Sequence, residues 1–319
     1  MTVTPRTSSP ESCAIVIPVG PSDAEVAGLI DLTDSLRVFA SNVSHLIIID
    51  DGVTPRGLDD LIAWPGVDVV SLRTALSKKW VSVYAAQVAG TMIGLAYAAE
   101  QPDVAYVLKA DTDTLAIRPF HDMILAKFQT DPLAGILGAC DFTPGGVPCD
   151  YSAWAARVPR AGRALHFRRT VGRLPVRTYY VNMHRRRKIA GLLRLAEENG
   201  YERGRHCVGG AYALSDRALK RLRERGLLDD PLLWTGTGLG EDVVLGIAVS
   251  AVGLKMRDFV SDGEPFGVTL PGLPDTPQAL LQRGFALVHS VKGDPISSES
   301  AIRAFYREVR AGRDPDGKA

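Results

Sequence analysis

The chain has 319 residues, 46% of them hydrophobic, enough to bury a substantial core in one large α/β domain with or without an added lobe. Its 37 Lys and Arg nearly balance 36 Asp and Glu, and the resulting net charge of +1 excludes a global field that would recruit nucleic acid or an anionic membrane. The four cysteines (Cys13, Cys140, Cys149, Cys207) lack zinc-type pairing and small-scaffold spacing, so free thiols in a reducing, cytoplasmic setting are expected.

Residues 1–12 are polar, with no apolar signal core, and are expected to form a disordered lead. Next come two continuously apolar runs, CAIVIPVG and HLIIIDDG, the pattern of strands covered on both faces. Between them SDAEVAGLIDLTDSLRVFA has helical spacing, with Ser22 positioned as its N-cap. VDVVSL predicts a third strand, KKWVSVYAAQVAGTMIGLAYAAEQ a long helix rich in small residues, and YVLKA a fourth strand. GILGACDF predicts a fifth. This alternation predicts βαβ units feeding a mostly parallel sheet over residues 13–145.

From 146 to 205 the character changes to arginine-rich and irregular, with a basic helix, NMHRRRKIAGLLRLAEENG, closed by Gly200. This segment is expected to form a helical insertion or acceptor lobe. Its HRRRK run (184–188) is a solvated helix face or, alternatively, a contact for an acidic acceptor through Arg185 and Arg186. A second half, 206–319, follows with CVGGAYALS, a basic helix, the loop-to-helix stretch GTGLGEDVVLGIAVSAVG, the strand FALVHSVKG and a last helix. The longest apolar tract, 243–254, is shorter than the ~20 residues of a membrane span.

Four places carry chemistry. Asp111 and Asp113 lie two apart in an extended segment, so they project to one side and can share a hard cation such as Mn²⁺ or Mg²⁺. Aspartates also end strands by bonding to their own backbone, and that reading stays open. Asp50 and Asp51 terminate the most apolar strand, where a carboxylate can orient a nucleobase or ribose, or simply form a turn ahead of Gly52. Glu241 and Asp242 open a helix after a glycine-rich loop; helix-dipole capping explains acidic residues there, and so does a general base. His289, before the basic turn that holds Lys292, can complete a Mn²⁺ shell or be merely structural. His45, His121, His166, His184 and His206 show no ligand spacing and receive no role.

In the order AIVIPV, IIIDDG, KADTDT, GGAYALS, GEDVVLG, LVHSVKG, these segments resemble GT-A glycosyltransferases that use nucleotide sugars, over roughly residues 13–293. The later motifs look like the β-1,3-galactosyltransferase type and the amino-terminal strands like the family-2 type. The resemblance implies a Rossmann-like, mostly parallel sheet flanked by helices, a UDP-sugar donor, Mn²⁺ or Mg²⁺, and a small-molecule or glycan acceptor. It implies a nucleobase contact at Asp51, with Pro18 and Val19 lining that pocket. Asp111, Asp113 and His289 become metal ligands, and Asp50, Lys79, Thr112 and Lys292 further donor contacts. Gly209 and Gly210 would lie against donor and acceptor, and Asp242 would be the base of an inverting reaction with Glu241 beside it. No Q-x-x-R-W motif is found, which argues against a processive synthase. A bacterial, cytoplasmic enzyme is expected, without nucleic acid or membrane partner; a homo-oligomer is compatible with the sequence. The alternatives are a haloacid-dehalogenase-like phosphatase using Asp111 and Asp113, and a GT-A protein that binds sugars without turnover. The phosphatase pattern calls for Thr or Val at Leu115 and for this strand near the N-terminus, and neither holds.

Overall fold

The computed structural model describes residues 11–74, 83–161 and 183–312. Lys79, His166 and the middle of the arginine-rich segment lie outside the described residues, as does most of the expected lead.

The amino-terminal half alternates strands and helices: β1 (Ser12–Val19), α1 (Asp23–Phe39), β2 (Val43–Asp50), α2 (Leu58–Leu61), β3 (Asp68–Arg73), α3 (Val83–Ala98) and β4 (Val104–Ala110). The short β5 (Leu115–Ala116), α4 (His121–Thr130), β6 (Ala134–Gly138), α5 (Ser152–Ala155), α6 (Val158–Ala161) and α7 (Met183–Glu198) follow. The last part holds β7 (Ala211–Ser215), α8 (Asp216–Glu224), α9 (Glu241–Ala251), β8 (Lys255–Asp258), β9 (Phe266–Val268), α10 (Pro277–Gln282), β10 (Leu287–His289) and α11 (Glu299–Ala311). The Ser22 hydroxyl does cap α1, accepting the Glu25 N–H, and Ser215, Thr276 and Ser298 do the same for α8, α10 and α11.

Seven strands form one sheet in the order β3-β2-β1-β4-β7-β6-β8. All neighbouring pairs are parallel except those of β7, which runs antiparallel to β4 and β6. Helices flank the sheet, so the fold is the mostly parallel α/β class expected. Alternation along β1 explains the unbroken apolar run: Ala14 and Val16 face one core, Cys13, Ile15 and Ile17 the other, and all are buried. α3 approaches its face closely because it is built from small residues. A Cβ at Gly94 would lie 2.5 Å from a Val16 methyl.

This topology sets up a shared edge. Parallel β1, β2 and β4 all end there, delivering Val19, Asp50 and Asp111, and ligands of open α/β sheets collect at such carboxyl ends. Antiparallel β7 begins at the same edge, since Ala110 pairs with Ala211 and the Asp111 N–H donates to the Gly210 carbonyl at 2.8 Å.

A second, three-stranded sheet, β5-β10-β9, lies beyond. Antiparallel pairing of Leu287 with Ala116 and Val288 with Leu115 carries His289 and Ser290 back alongside the segment before β5. The Val291 N–H then donates to the Asp113 carbonyl at 3.0 Å. Helix α11 clamps this region through buried Asp31 of α1, which accepts from Arg303 (2.8 Å), Arg307 (3.2 Å) and Arg310 (2.6 Å). Burial opposes ionisation of Asp31, and the Arg303 and Arg310 guanidiniums override it, holding the carboxyl below its usual range. Arg303 also donates to the Thr112 carbonyl at 3.2 Å, tying α11 to the loop between the two aspartates.

Two features bear on the expectations above. The basic helix α7 of the arginine-rich segment is anchored in the core: Ile189, Leu192 and Ala196 join it where α7 packs on α9. Its Arg185 and Lys188 bond to the 226–232 segment, at Leu232 and Asp230 and at Gly226 respectively, and neither lines the main cavity. The expectation of free thiols fails in part. Cys140 and Cys207 form a disulfide, while Cys13 and Cys149 are free. The two partners are 67 residues apart, and only the adjacency of the ends of β6 and β7 brings them together, with the Val208 N–H on the Ala139 carbonyl. The argument for a reducing compartment loses its footing with them. Among the described residues no helix is long and apolar enough to cross a membrane.

Candidate active site

One cavity of about 1030 Å³ opens at the shared sheet edge. Pro18, Val19, Asp51, Asp111, Thr112, Asp113, Gly209, Glu241, Asp242, His289 and Lys292 all line it. Asp50 and Gly210 do not, for different reasons. Asp50 is buried and used up by its own turn, accepting from the Gly52 N–H (2.7 Å) and the Arg56 guanidinium (2.8 Å). Gly210 is covered by His289: a Cβ there would sit 2.1 Å from the imidazole. Gly210 therefore serves the histidine rather than a ligand.

Asp111, Asp113 and His289 each offer one ligand atom, all within 4.8 Å of one another. His289 Nδ1 lies 3.0 Å from the Thr269 carbonyl, which can only accept, so Nδ1 carries the proton and Nε2 presents its lone pair. That lone pair faces Asp113 Oδ1 at 3.2 Å. Two acceptors this close need a proton or a cation between them. Two carboxylates and an imidazole suit Mn²⁺ or Mg²⁺, so the residues fit a divalent ion. Burial works against the Asp113 charge; a proton held on His289 Nε2 would donate to it, and that bond, the Ser290 hydroxyl (2.5 Å to Oδ2) and the nearby Lys292 charge hold its carboxyl well below the usual range, in the place a cation would take.

Lys109, which the sequence reading passed over, anchors this edge. It is 1% exposed, yet its ammonium meets Asp111 at 2.7 Å and Glu241 at 2.9 Å and donates to the Gly209 carbonyl. Those acidic partners hold the ammonium protonated against burial, raising its pKa. One buried cation thus ties together the D-x-D strand, the glycine pair and the start of α9. The detectable signal was a lysine inside an otherwise apolar strand, YVLKA, which demands a buried counter-charge. Asp111 itself is pushed up to about 6, by burial and by Glu241 and Asp113, with Lys109 opposing.

Asp242 sits at the first turn of α9. Burial first, and then the Glu241 charge, push its carboxyl up to about 8. His206 Nε2 lies 3.5 Å from Asp242 Oδ2. His206 Nδ1 meets the Gly204 carbonyl at 2.7 Å, so here too the proton is on Nδ1 and Nε2 faces the carboxyl as an acceptor. Burial lowers the His206 pKa, which keeps the ring neutral. Lone-histidine arithmetic could not find this residue, because its partner is 36 positions away in sequence and adjacent only in the fold.

Other groups lining the cavity are engaged among themselves. Asp51 accepts the Thr74 hydroxyl at 3.0 Å. The Lys292 ammonium is paired with Glu25 at 2.6 Å, and the Thr112 hydroxyl donates to the same carboxylate. Glu25, in the first turn of α1, was another residue the sequence reading did not single out.

The His289 packing yields an expected result. Gly210→Ala should cost about 1–3 kcal/mol of stability through overpacking. It should also weaken Mn²⁺ binding by about tenfold or more, as expected when a ligand's support is displaced. Urea denaturation and a Mn²⁺ titration followed by electron paramagnetic resonance check both.

No family model matches the chain, and no curated protein matches it. Among solved structures the chain is similar to a mannosyltransferase from Pyrobaculum calidifontis in complex with GDP-mannose and Mn²⁺, at 11% identity and a TM-score of 0.40. That match spans 80% of this chain and 58% of the other, so the chain covers under two thirds of the length of that structure.

Proposed function

We propose that the chain is a divalent-cation-dependent glycosyltransferase that moves a sugar from a UDP-sugar to a hydroxyl of a small-molecule or glycan acceptor, with inversion. The reading rests on one observation: a metal-capable Asp–Asp–His set and a carboxylate with a raised pKa line the same cavity at the carboxyl edge of the sheet.

In this reading Pro18 and Val19 border the nucleobase, and Asp51, steadied by Thr74, accepts its hydrogen bonds. Asp111, Asp113 and His289 would hold Mn²⁺ or Mg²⁺, which supplies charge stabilisation for the departing diphosphate. Lys292 exchanges Glu25 for a phosphate oxygen, and Thr112 and the Gly209 backbone border the donor sugar. Lys109 keeps Asp111 and Glu241 in place throughout. Asp242 accepts the proton of the acceptor hydroxyl as its oxygen bonds to the anomeric carbon. The bond from that carbon to the β-phosphate oxygen breaks, and UDP leaves with the electron pair. His206 positions Asp242 and takes a hydrogen bond from its protonated form.

The test is release of UDP from a panel of UDP-sugars in the presence of Mn²⁺. Slow UDP release with at least one sugar, abolished by chelator, is the expected outcome. Phosphate release from simple monoesters in its place would turn the assignment to the phosphatase. UDP-sugar binding without any release would leave a binding protein.

A further inference from the structure

We infer that the acceptor is a neutral glycoside, whose pyranose ring rests against an aromatic wall made by Tyr84, Trp154 and His206 while its reacting hydroxyl meets Asp242; the inference rests on the transferase reading above. All three rings line the cavity. Trp154 stands edge-to-face with Tyr84 (6.0 Å between centroids, 81°) and with His206 (6.2 Å, 82°), an arrangement that fixes each ring's orientation. Arg157, which does not line the cavity, lies over the Trp154 ring at 4.9 Å and holds it further. Despite this packing Tyr84 remains 43% exposed, an aromatic surface left open at the cavity.

The wall borders the candidate base. His206 is 3.5 Å from Asp242, and a Cβ at Gly240 would lie 3.8 Å from Trp154 Cη2 and 2.5 Å from Asp242 Oδ1. Asp150 is a further carboxylate lining the same cavity. Aromatic faces flanked by carboxylate acceptors match a ring that has apolar C–H faces and an equator of hydroxyl donors. Among the described lining residues nothing matches an anionic acceptor: the lysine is Lys292, already engaged by Glu25, and Arg185 of α7 bonds to Leu232 and Asp230. A volume of about 1030 Å³ also lies at or beyond the top of the roughly 300–1,000 Å³ that one drug-sized ligand fills, leaving space for a second substrate.

The experiment is saturation-transfer NMR with methyl glucoside, galactoside, mannoside and glucuronide, without nucleotide or metal. At least one neutral methyl glycoside should bind, and more tightly than the glucuronide. Trp154→Ala should weaken that binding at least about fivefold, with partial recovery in Trp154→Phe. Where Trp154→Ala lowers the melting temperature sharply, Asp150→Asn, a surface change, should still weaken binding. Equal glycoside affinity in wild type and both variants, a preference for the glucuronide, or no binding to folded wild type overturns the inference. Failure of the transferase reading looks different: glycosides bind as expected, yet no UDP-sugar is cleaved.

Discussion

Asp113→Ala and His289→Ala should each reduce Mn²⁺-dependent UDP release by about 10²–10³-fold, the scale on which removing one contributor to transition-state charge stabilisation is felt. His289 Nε2 and Asp113 Oδ1 are held 3.2 Å apart. Ser290 and Lys292, together with a proton or cation held between Asp113 and His289, keep Asp113 ionised, so the pair is preorganised to bind positive charge. Deleting either member leaves two ligands at most from this set and frees the other to pair with its remaining neighbours. For His289 the loss also empties the space above Gly210. Asp111→Ala is a less clean comparison, because it would strip Lys109 of one counter-charge and disturb Glu241 as well. The decisive measurement pairs turnover with a Mn²⁺ titration: both variants should lose metal affinity and activity together. Undiminished Mn²⁺ binding in Asp113→Ala would remove the metal site from the proposal.

How far the sequence carried this is best judged at individual residues. The parallel strands were legible because burial on both faces leaves continuous apolar runs, as in β1 and β2. The D-x-D pair was legible as two carboxylates at a strand end, but the chain there turns, the Thr114 N–H donating to the Asp111 carbonyl, and does not run extended as the period-two reading expected. Their meeting with His289 depends on the register of β5 and β10, a pairing across 171 or more positions that no local pattern encodes. At Asp50 a turn aspartate and a ligand-binding aspartate share the same local signature, and what the sequence left open the fold fills with the Gly52 N–H and the Arg56 guanidinium, six residues on. Lys109 and Glu25 were missed because their partners are distant in sequence. Glu25 looks unexceptional in a first helical turn, Lys109 stands out in its apolar strand without naming its counter-charge, and each acquires meaning from a charge brought to it by the fold. The basic run of α7 could be a solvated face or an acceptor contact by its density alone, whereas Arg185 finds carbonyl and carboxylate partners in the neighbouring loop.

Asp242→Asn should lower transfer by about 10²–10⁴-fold, the contribution usual for a positioned general base, and should remove the pH dependence expected of the wild type. A base works only when ionised. With its carboxyl pushed up to about 8, wild-type Asp242 is mostly protonated at pH 6, so the rate should climb close to tenfold per pH unit and level off near pH 8. The neighbours facing Asp242 fix the sign. Burial and the Glu241 charge raise its pKa, with Asp111 adding to them, while the Val243 N–H and Lys109 oppose. Glu241→Gln removes a negative charge but keeps an acceptor for Lys109, so the rise should move to lower pH. His206 stays neutral through this range, since burial lowers its pKa, and contributes geometry rather than a second titration. His206→Asn should therefore lower kcat while leaving the midpoint of the profile close to that of the wild type. Profiles of kcat against pH for the four proteins separate the roles: a rise that persists unchanged in Asp242→Asn would mean that another group accepts the proton, and a Glu241→Gln profile shifted upward would contradict the electrostatic origin of the raised pKa.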